Sequence, residues 1–285
     1  MEKFYIITNY TKDGDNRITR QIKSCIESYG KTCILCEKNE KEEIIVETIP
    51  EDIDCALVIG GDGTFIQASR LLFGHDVPML GINMGTLGYL TEVEVQNVEE
   101  AIAQLMRGEY SIERRMMLYG SVFSQGTDKI SDVALNDIVL NRDGLMKIVH
   151  FDLYVNGQLL NSYQADGLIV STPTGSTAYN LSAGGPIVEP TASLMVITPI
   201  CSHALLNSRS IVFSDEDEIT IQISSRKDGQ IDQAAITFDG DDFIPLQTGD
   251  KVVIKKAWET LKRVPCFFCH LIDFFIRIVI IKICM

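Results

Sequence analysis

Three clusters in this 285-residue chain combine residue types that could do chemistry. The first is Gly60-Gly-Asp-Gly-Thr64. Glycines let a backbone turn tightly and approach a ligand without Cβ clashes, and amides at the start of a following helix point at phosphate oxygens. The pattern is neither a phosphate loop ending in Gly-Lys-Ser/Thr nor a Gly-x-Gly-x-x-Gly dinucleotide fingerprint. It differs by an acid, Asp62, at its centre. A carboxylate where phosphate amides converge repels the ligand unless it holds Mg²⁺ or accepts the proton of an attacking hydroxyl. The glycines alone also fit a purely structural turn. The second cluster runs from Asp166 to Gly185, where Ser171, Thr172, Thr174, Ser176, Thr177 and Ser182 crowd one region. Such hydroxyls serve either capping and turn chemistry or a polar nucleotide cradle, with Tyr179 as a stacking face. The third is Asn136-Asp137 within Leu135–Leu140. Strand alternation predicts that at most one of the two faces the interior, and an edge-strand surface pair is the plainer reading.

The elements that must position these clusters fall into two patterns. Residues 1–110 alternate short apolar runs with helix-like stretches, as βα units do. Strands are predicted at Phe4–Thr8, Thr32–Cys36, Cys55–Ile59 and Val77–Ile82, and helices at Arg17–Tyr29, closed by Gly30, and Phe65–Phe73. The charged run Glu37–Glu51 reads as solvated loop or helix. Such units build a parallel sheet with its ligand crevice at the strands' C-terminal ends. From about Met116 the period changes to two, with strands predicted at Leu118–Phe123, Ala134–Leu140, Lys147–Val155, Leu168–Val170, Leu194–Thr198, Ile211–Phe213, Glu218–Ser224, Ala234–Phe238 and Lys251–Lys255. Asn156-Gly157 signals a type I′ hairpin. A helix should open from Thr177 onward, with Ser176 or Thr177 near its N-cap. The expected architecture is α/β plus all-β: a Rossmann-like parallel α/β domain over residues 1–112, an antiparallel β-sandwich domain over 113–258, and an apolar segment over 259–285.

Composition narrows the function. Apolar residues make up 46% of the chain, enough for a substantial core. Lys and Arg number 25 against 39 Asp and Glu, a net charge of −14. That balance argues against nucleic acid and against an anionic membrane surface, so a phosphorylated ligand must be held locally. The start, MEKFYIITNY, lacks the pattern of a signal peptide. The expectation is a cytoplasmic protein whose eight cysteines are free thiols. Two C-x-x-C pairs, Cys33/Cys36 and Cys266/Cys269 with His270, suggest zinc, but they lie far apart and no metal site is expected. Residues 264–285 are long and apolar enough to span a bilayer, yet His270, Asp273 and Arg277 interrupt them. A packed terminal element is preferred, with no stable membrane contact.

The motifs GGDGT, NMGTLGYL, LNDIVL and DGLIVSTPTGSTAYNLSAGGPIV, in that order, resemble those of NAD kinases over residues 1 to about 256. GGDGT alone is shared with diacylglycerol kinases, sphingosine kinases and phosphofructokinases. The resemblance implies ATP-dependent phosphorylation of the adenosine ribose 2′-hydroxyl of NAD to give NADP, with a divalent metal (Mg) and a homodimer or homotetramer. It makes Asp62 the proton acceptor and Gly63 its partner at the ribose. Asn136 and Asp137 match the pair that binds the ribose and adenine side. Asp166 and the run Thr177, Ala178, Tyr179, Asn180, Leu181 and Ser182 match further NAD-binding positions, some supplied across a subunit interface. Lys147 stands where the family often has a basic or imidazole side chain, and Gln164 where bacterial members often have Arg. His203 resembles another family position, although a lone His serves equally well as a structural residue. Two other readings use the same residues: a lipid kinase of the diacylglycerol type sharing the GGDGT loop, and a non-catalytic NAD(P) sensor. A β-sandwich protein with unliganded loops is the third.

Overall fold

The computed structural model describes residues 1–37, 44–124, 127–144, 148–203, 208–224 and 231–265. They divide into two compact units, one of Met1–Arg114 with the chain from Leu261, the other Arg115–Thr260.

In the first unit, strands β1 (Lys3–Thr8), β2 (Thr32–Leu35), β3 (Cys55–Gly60) and β4 (Met79–Asn83) form a parallel sheet in the order β4-β3-β1-β2, with β5 (Val93–Glu94) beside β4. Every residue of β3 and β4 is buried, the reason these strands read as continuous apolar runs. Helix α1 (Arg17–Ser28) buries Thr19, Ile22 and Ile26 at the three-to-four-residue spacing of one helical face. Past its end, Gly30 takes φ +73°, as expected of a glycine closing a helix. Helix α2 (Asp62–Leu71) begins three residues earlier than Phe65, because Gly61 is already its N-cap and Asp62 lies in the first turn. Helix α3 (Val98–Arg107), which the sequence patterns did not single out, packs Val98, Ile102 and Leu105 into the same core.

The second unit is built on antiparallel strand pairs. Its strands are β6 (Glu113–Ser124), β7 (Thr127–Ala134), β8 (Asp137–Arg142), β9 (Val149–Val155), β10 (Gln158–Ala165), β11 (Gly167–Ser171), β12 (Leu194–Ile200), β13 (Ile211–Ser214), β14 (Ile219–Ile223), β15 (Gln233–Phe238), β16 (Ile244–Gln247) and β17 (Lys251–Arg263), whose last residues return to the first unit. One sheet runs β13-β12-β11-β8-β15-β16; the other aligns β10-β9-β14-β17, and β6 pairs with β17 and β7. Inward residues of both sheets, among them Ile138, Leu140, Phe151, Leu153, Val170, Ile197, Ile221 and Ile254, form one core. This is the expected sandwich. Asn156 and Gly157 both have positive φ, 50° and 78°, and turn β9 into β10 as the hairpin signal required.

Two local elements differ from expectation. The strand predicted over Ala134–Leu140 is broken by a bend at Leu135 and Asn136, between the end of β7 and the start of β8. The short helix α4 (Tyr179–Ser182) is preceded by a 3₁₀ turn over Thr174–Thr177, so it opens two residues later than Thr177, with Ala178 next to Thr177 as its N-cap. Strand β17 also continues well beyond Lys255, taking in residues 259–263. Cys25, Cys33, Cys36, Cys55 and Cys201 carry free thiols. Cys266, Cys269, His270, Asp273 and Arg277 lie outside the described residues, as does Lys147. Among the described residues no helix is long and apolar enough to cross a membrane.

Candidate functional site

The first unit presents an acid held by a loop. Strand β3 delivers the chain buried as far as Gly60, and the turn at Gly61 places Asp62 at the head of α2, where a carboxylate suits the helix dipole. Asp62 faces the segment after β4. Its Oδ2 accepts the Tyr89 N–H (2.7 Å), while Oδ1 accepts the Leu90 N–H, the Thr91 N–H and the Thr91 hydroxyl (3.0 Å each). Gly88 makes this possible: a Cβ there would collide with the Asp62 carboxylate. The loop itself is tied down, since Asn83 Nδ2 donates to the Thr86 carbonyl (2.7 Å) and to Thr91 Oγ1 (3.1 Å). Gly63 follows Asp62 in the first turn. A basic residue that sequence reasoning missed, Lys12, brings its Nζ to 3.1 Å from the position a Cβ on Gly61 would take. An ammonium, helix amides and a carboxylate with one lightly used oxygen are the parts needed to hold a phosphate and remove a proton.

The second unit carries a cleft of about 320 Å³. Asn136, Asp137, Asn141, Tyr179 and Phe243 line it together with Ala178 and Asp239. Both members of the Asn-Asp pair reach the same cleft, against the alternation rule, because Asn136 sits in the bend and Asp137 begins β8. The bend is gripped from two sides. Asp239, with φ +54°, accepts the Leu135, Asn136 and Asp137 N–H groups (2.7, 2.7 and 3.1 Å) and donates its own N–H to the Asp137 carbonyl (2.9 Å). Opposite, the Thr172 hydroxyl donates to the Leu135 carbonyl (2.6 Å) and accepts the Gly175 N–H (3.0 Å). Gly175 lies so close to Asn136 that a Cβ would strike its carbonyl. Asp137 is 5% exposed, and burial, with the Asp239 charge second, pushes its carboxyl from 3.8 to about 7. Two aromatics border the cleft, Tyr179 at 42% and Phe243 at 76% exposure.

The hydroxyl-rich run is inward-facing for the most part. Ser171, Thr172, Thr174, Ser176 and Thr177 are buried; Ser176 donates to the Pro173 carbonyl (2.7 Å), Thr177 to the Thr174 carbonyl (3.4 Å), and Thr174 accepts Arg115 Nη1 (3.3 Å). Asn180 is consumed likewise, donating to the Ser176 and Pro186 carbonyls (3.1 and 3.0 Å) and accepting the Thr198 hydroxyl (2.7 Å). These groups shape the loop, and it presents Ala178 and Tyr179 to the cleft. Ser182 is exposed and Leu181 half-buried, neither lining it. Asp166 pairs with Arg142 Nε (3.3 Å). Gln164 is exposed on β10 and its carbonyl accepts the His203 N–H (2.9 Å). Of the residues expected from sequence, Asn136, Asp137, Ala178 and Tyr179 therefore share one cleft; Asp239 and Phe243 were missed.

Known proteins match both halves of the chain. The ATP-NAD kinase N-terminal domain model matches residues 10–110 and the ATP-NAD kinase C-terminal domain model residues 135–266, ten residues beyond the expected limit near 256. An NAD kinase of Lachnospira eligens is 48% identical over 273 residues, covering 90% of this chain and 92% of that one. Another, from Lachnoclostridium phytofermentans, is 44% identical over 270 residues, covering 93% and 94%. In fold, the chain resembles a yeast NADH kinase complexed with NADH (TM-score 0.80, 23% identity, 98% of this chain and 86% of that one). It also resembles an NAD kinase from Archaeoglobus fulgidus in complex with ATP (TM-score 0.77, 22% identity, 97% and 98%).

A parallel α/β unit with an acid in its glycine turn is followed by a β-sandwich carrying a cleft, and the relatives that match the chain over most of its length are phosphotransferases. The chain belongs to the ATP-NAD kinase family.

Proposed function

We propose that this protein transfers the γ-phosphoryl group of ATP to the adenosine ribose 2′-hydroxyl of NAD, giving NADP and ADP. The observation that carries the reading is the uneven use of the Asp62 carboxylate, with three donors on Oδ1 and one on Oδ2. A carboxylate oxygen has two lone pairs, so Oδ2 keeps one in reserve while Oδ1 is held in place. As the hydroxyl oxygen bonds to the γ-phosphorus and the bond to the ADP oxygen breaks, the hydroxyl proton passes to Oδ2. Alignment and charge neutralisation supply the rest, through the α2 amides and Lys12. Asn136 and Asp137 accept and donate to ribose hydroxyls and base edges, and Tyr179 and Phe243 offer faces to a flat ring. Thr174, Thr177, Asn180, Leu181 and Ser182 act by shaping the loop behind Ala178 and Tyr179, with Asp166 and Gln164 as outer contacts; for Lys147, outside the described residues, the ligand contact is the one the family resemblance implies.

Magnesium enters as part of the ATP substrate. Asp62 Oδ1, already accepting three hydrogen bonds, is occupied by the loop rather than open to the cation. A homodimer or homotetramer in a cytoplasm is the setting that suits the family and the free thiols. The test is a coupled assay with purified protein, ATP, Mg²⁺ and NAD, NADP being read by an NADP-specific dehydrogenase. NADP formation is expected; phosphorylation of diacylglycerol, or NAD binding with no ATP consumed, would overturn the reading.

A further inference from the structure

The Asp62 carboxylate is held by backbone amides, and something must hold those amides. At the far end of β17, Arg263 is 3% exposed, a charge almost fully removed from water. Its Nη2 pairs with Glu92 (2.7 Å), and Nη1 lies 3.7 Å from Glu113. Its backbone is fixed in register with Met79 of β4, and the next residue, Val264, donates its N–H to the Met79 carbonyl (2.9 Å). Arg263 Nη2 also donates to the Tyr89 carbonyl and Nε to the Leu90 carbonyl, both at 3.4 Å.

These two carbonyls belong to informative peptide groups. The Tyr89 carbonyl and the Leu90 N–H share one peptide plane; the Leu90 carbonyl and the Thr91 N–H share the next. Arg263 thus takes the oxygen end of two consecutive peptides whose nitrogen ends both donate to Asp62 Oδ1. A cation on the carbonyl side polarises each peptide and strengthens its N–H as a donor. The planar guanidinium fork addresses both carbonyls and Glu92 at once, which a point charge cannot do. The Tyr89 N–H, which meets Oδ2, belongs to the preceding peptide, outside this arrangement.

We propose that Arg263 is a positioning residue for the phosphoryl transfer: through the peptides 89–90 and 90–91 it fixes Asp62 Oδ1, leaving Oδ2 as the oxygen that takes the proton. This rests on the reading of Asp62 as the base. Arg263→Lys keeps the buried cation between its two glutamates, so it is the variant suited to folding, and its thermal midpoint is measured alongside. The expected result is a kcat lowered about 10- to 100-fold, the scale of a misplaced reacting group, with KM for NAD and ATP within about 3-fold of wild type. In the Asp62→Asn background the same substitution should change kcat by less than about 3-fold, because residues acting as a unit are not additive. An unchanged kcat in Arg263→Lys overturns the proposal. So does a loss of equal size in both backgrounds, or a loss of kcat that tracks a rise in KM and a fall in thermal midpoint. An Asp62→Asn enzyme as fast as wild type overturns instead the base assignment itself.

Discussion

Asp137 should make the protein less stable as the pH rises, and Asp137→Asn should remove that dependence. Burial, then the neighbouring Asp239 charge, raises its carboxyl from 3.8 to about 7. The folded state therefore holds this proton more tightly than the unfolded chain does. Below about pH 4 both states are protonated and the site has no cost. Between pH 4 and 7 the folded state binds more protons than the unfolded, so stability falls as pH rises; above 7 both are ionised and the loss is complete. At about 1.4 kcal/mol per pH unit the whole effect is about 4 kcal/mol. An amide of the same shape never ionises. Relative to wild type, Asp137→Asn should gain about 4 kcal/mol in going from pH 4 to pH 8, or about 10 °C in midpoint for a unit of this size. Thermal or urea unfolding of both proteins at closely spaced pH values measures it, since other titrating groups cancel in the difference. A difference between the two curves that stays constant from pH 4 to 8 would refute the reasoning. The variant should also bind NAD about 10-fold more weakly, the usual trade of stability against function at a binding site.

Other perturbations bear on both sites. Asp239→Asn puts an amide against the three N–H donors of the Leu135–Asp137 bend and removes the like charge beside Asp137. KM for NAD should rise about 10-fold, with the drop in stability with pH moving to lower pH while burial keeps it above 3.8; an unmoved pH profile would contradict the charge coupling. Gly88→Ala drives a methyl group into the Asp62 carboxylate without backbone strain, so kcat should drop about 100-fold while the fold persists, as circular dichroism and steady-state rates would register.

Features set by near neighbours in the chain were legible. Cys55–Gly60 and the glycines behind it announce a buried strand and a tight turn, and Asn156-Gly157 announces its hairpin, because each depends on the φ, ψ preferences and burial of adjacent residues. The cleft was half legible. Asn136 and Asp137 drew attention as polar residues in an apolar run, yet alternation placed them on opposite faces. The bend that brings them together depends on Asp239, 102 residues beyond Asp137; Asp239-Gly240 is a turn dipeptide, but nothing local shows that its carboxylate caps a bend so far away in the chain. Arg263 was invisible for the same reason, lying 173 residues from the carbonyl of Leu90. The hydroxyl cluster carried two readings, capping and turn chemistry or a polar cradle. Its density suggested a ligand surface, but a loop buried this deeply must satisfy its own backbone groups, and most of the hydroxyls do that.

The most direct test of the account compares NADP formation from ATP, Mg²⁺ and NAD by wild type and Asp62→Asn, with NAD affinity of both measured by calorimetry. A general base contributes about 10²- to 10⁴-fold, so the asparagine enzyme should bind NAD as wild type does and lose kcat by that factor. A folded Asp62→Asn enzyme that makes NADP at the wild-type rate would contradict it.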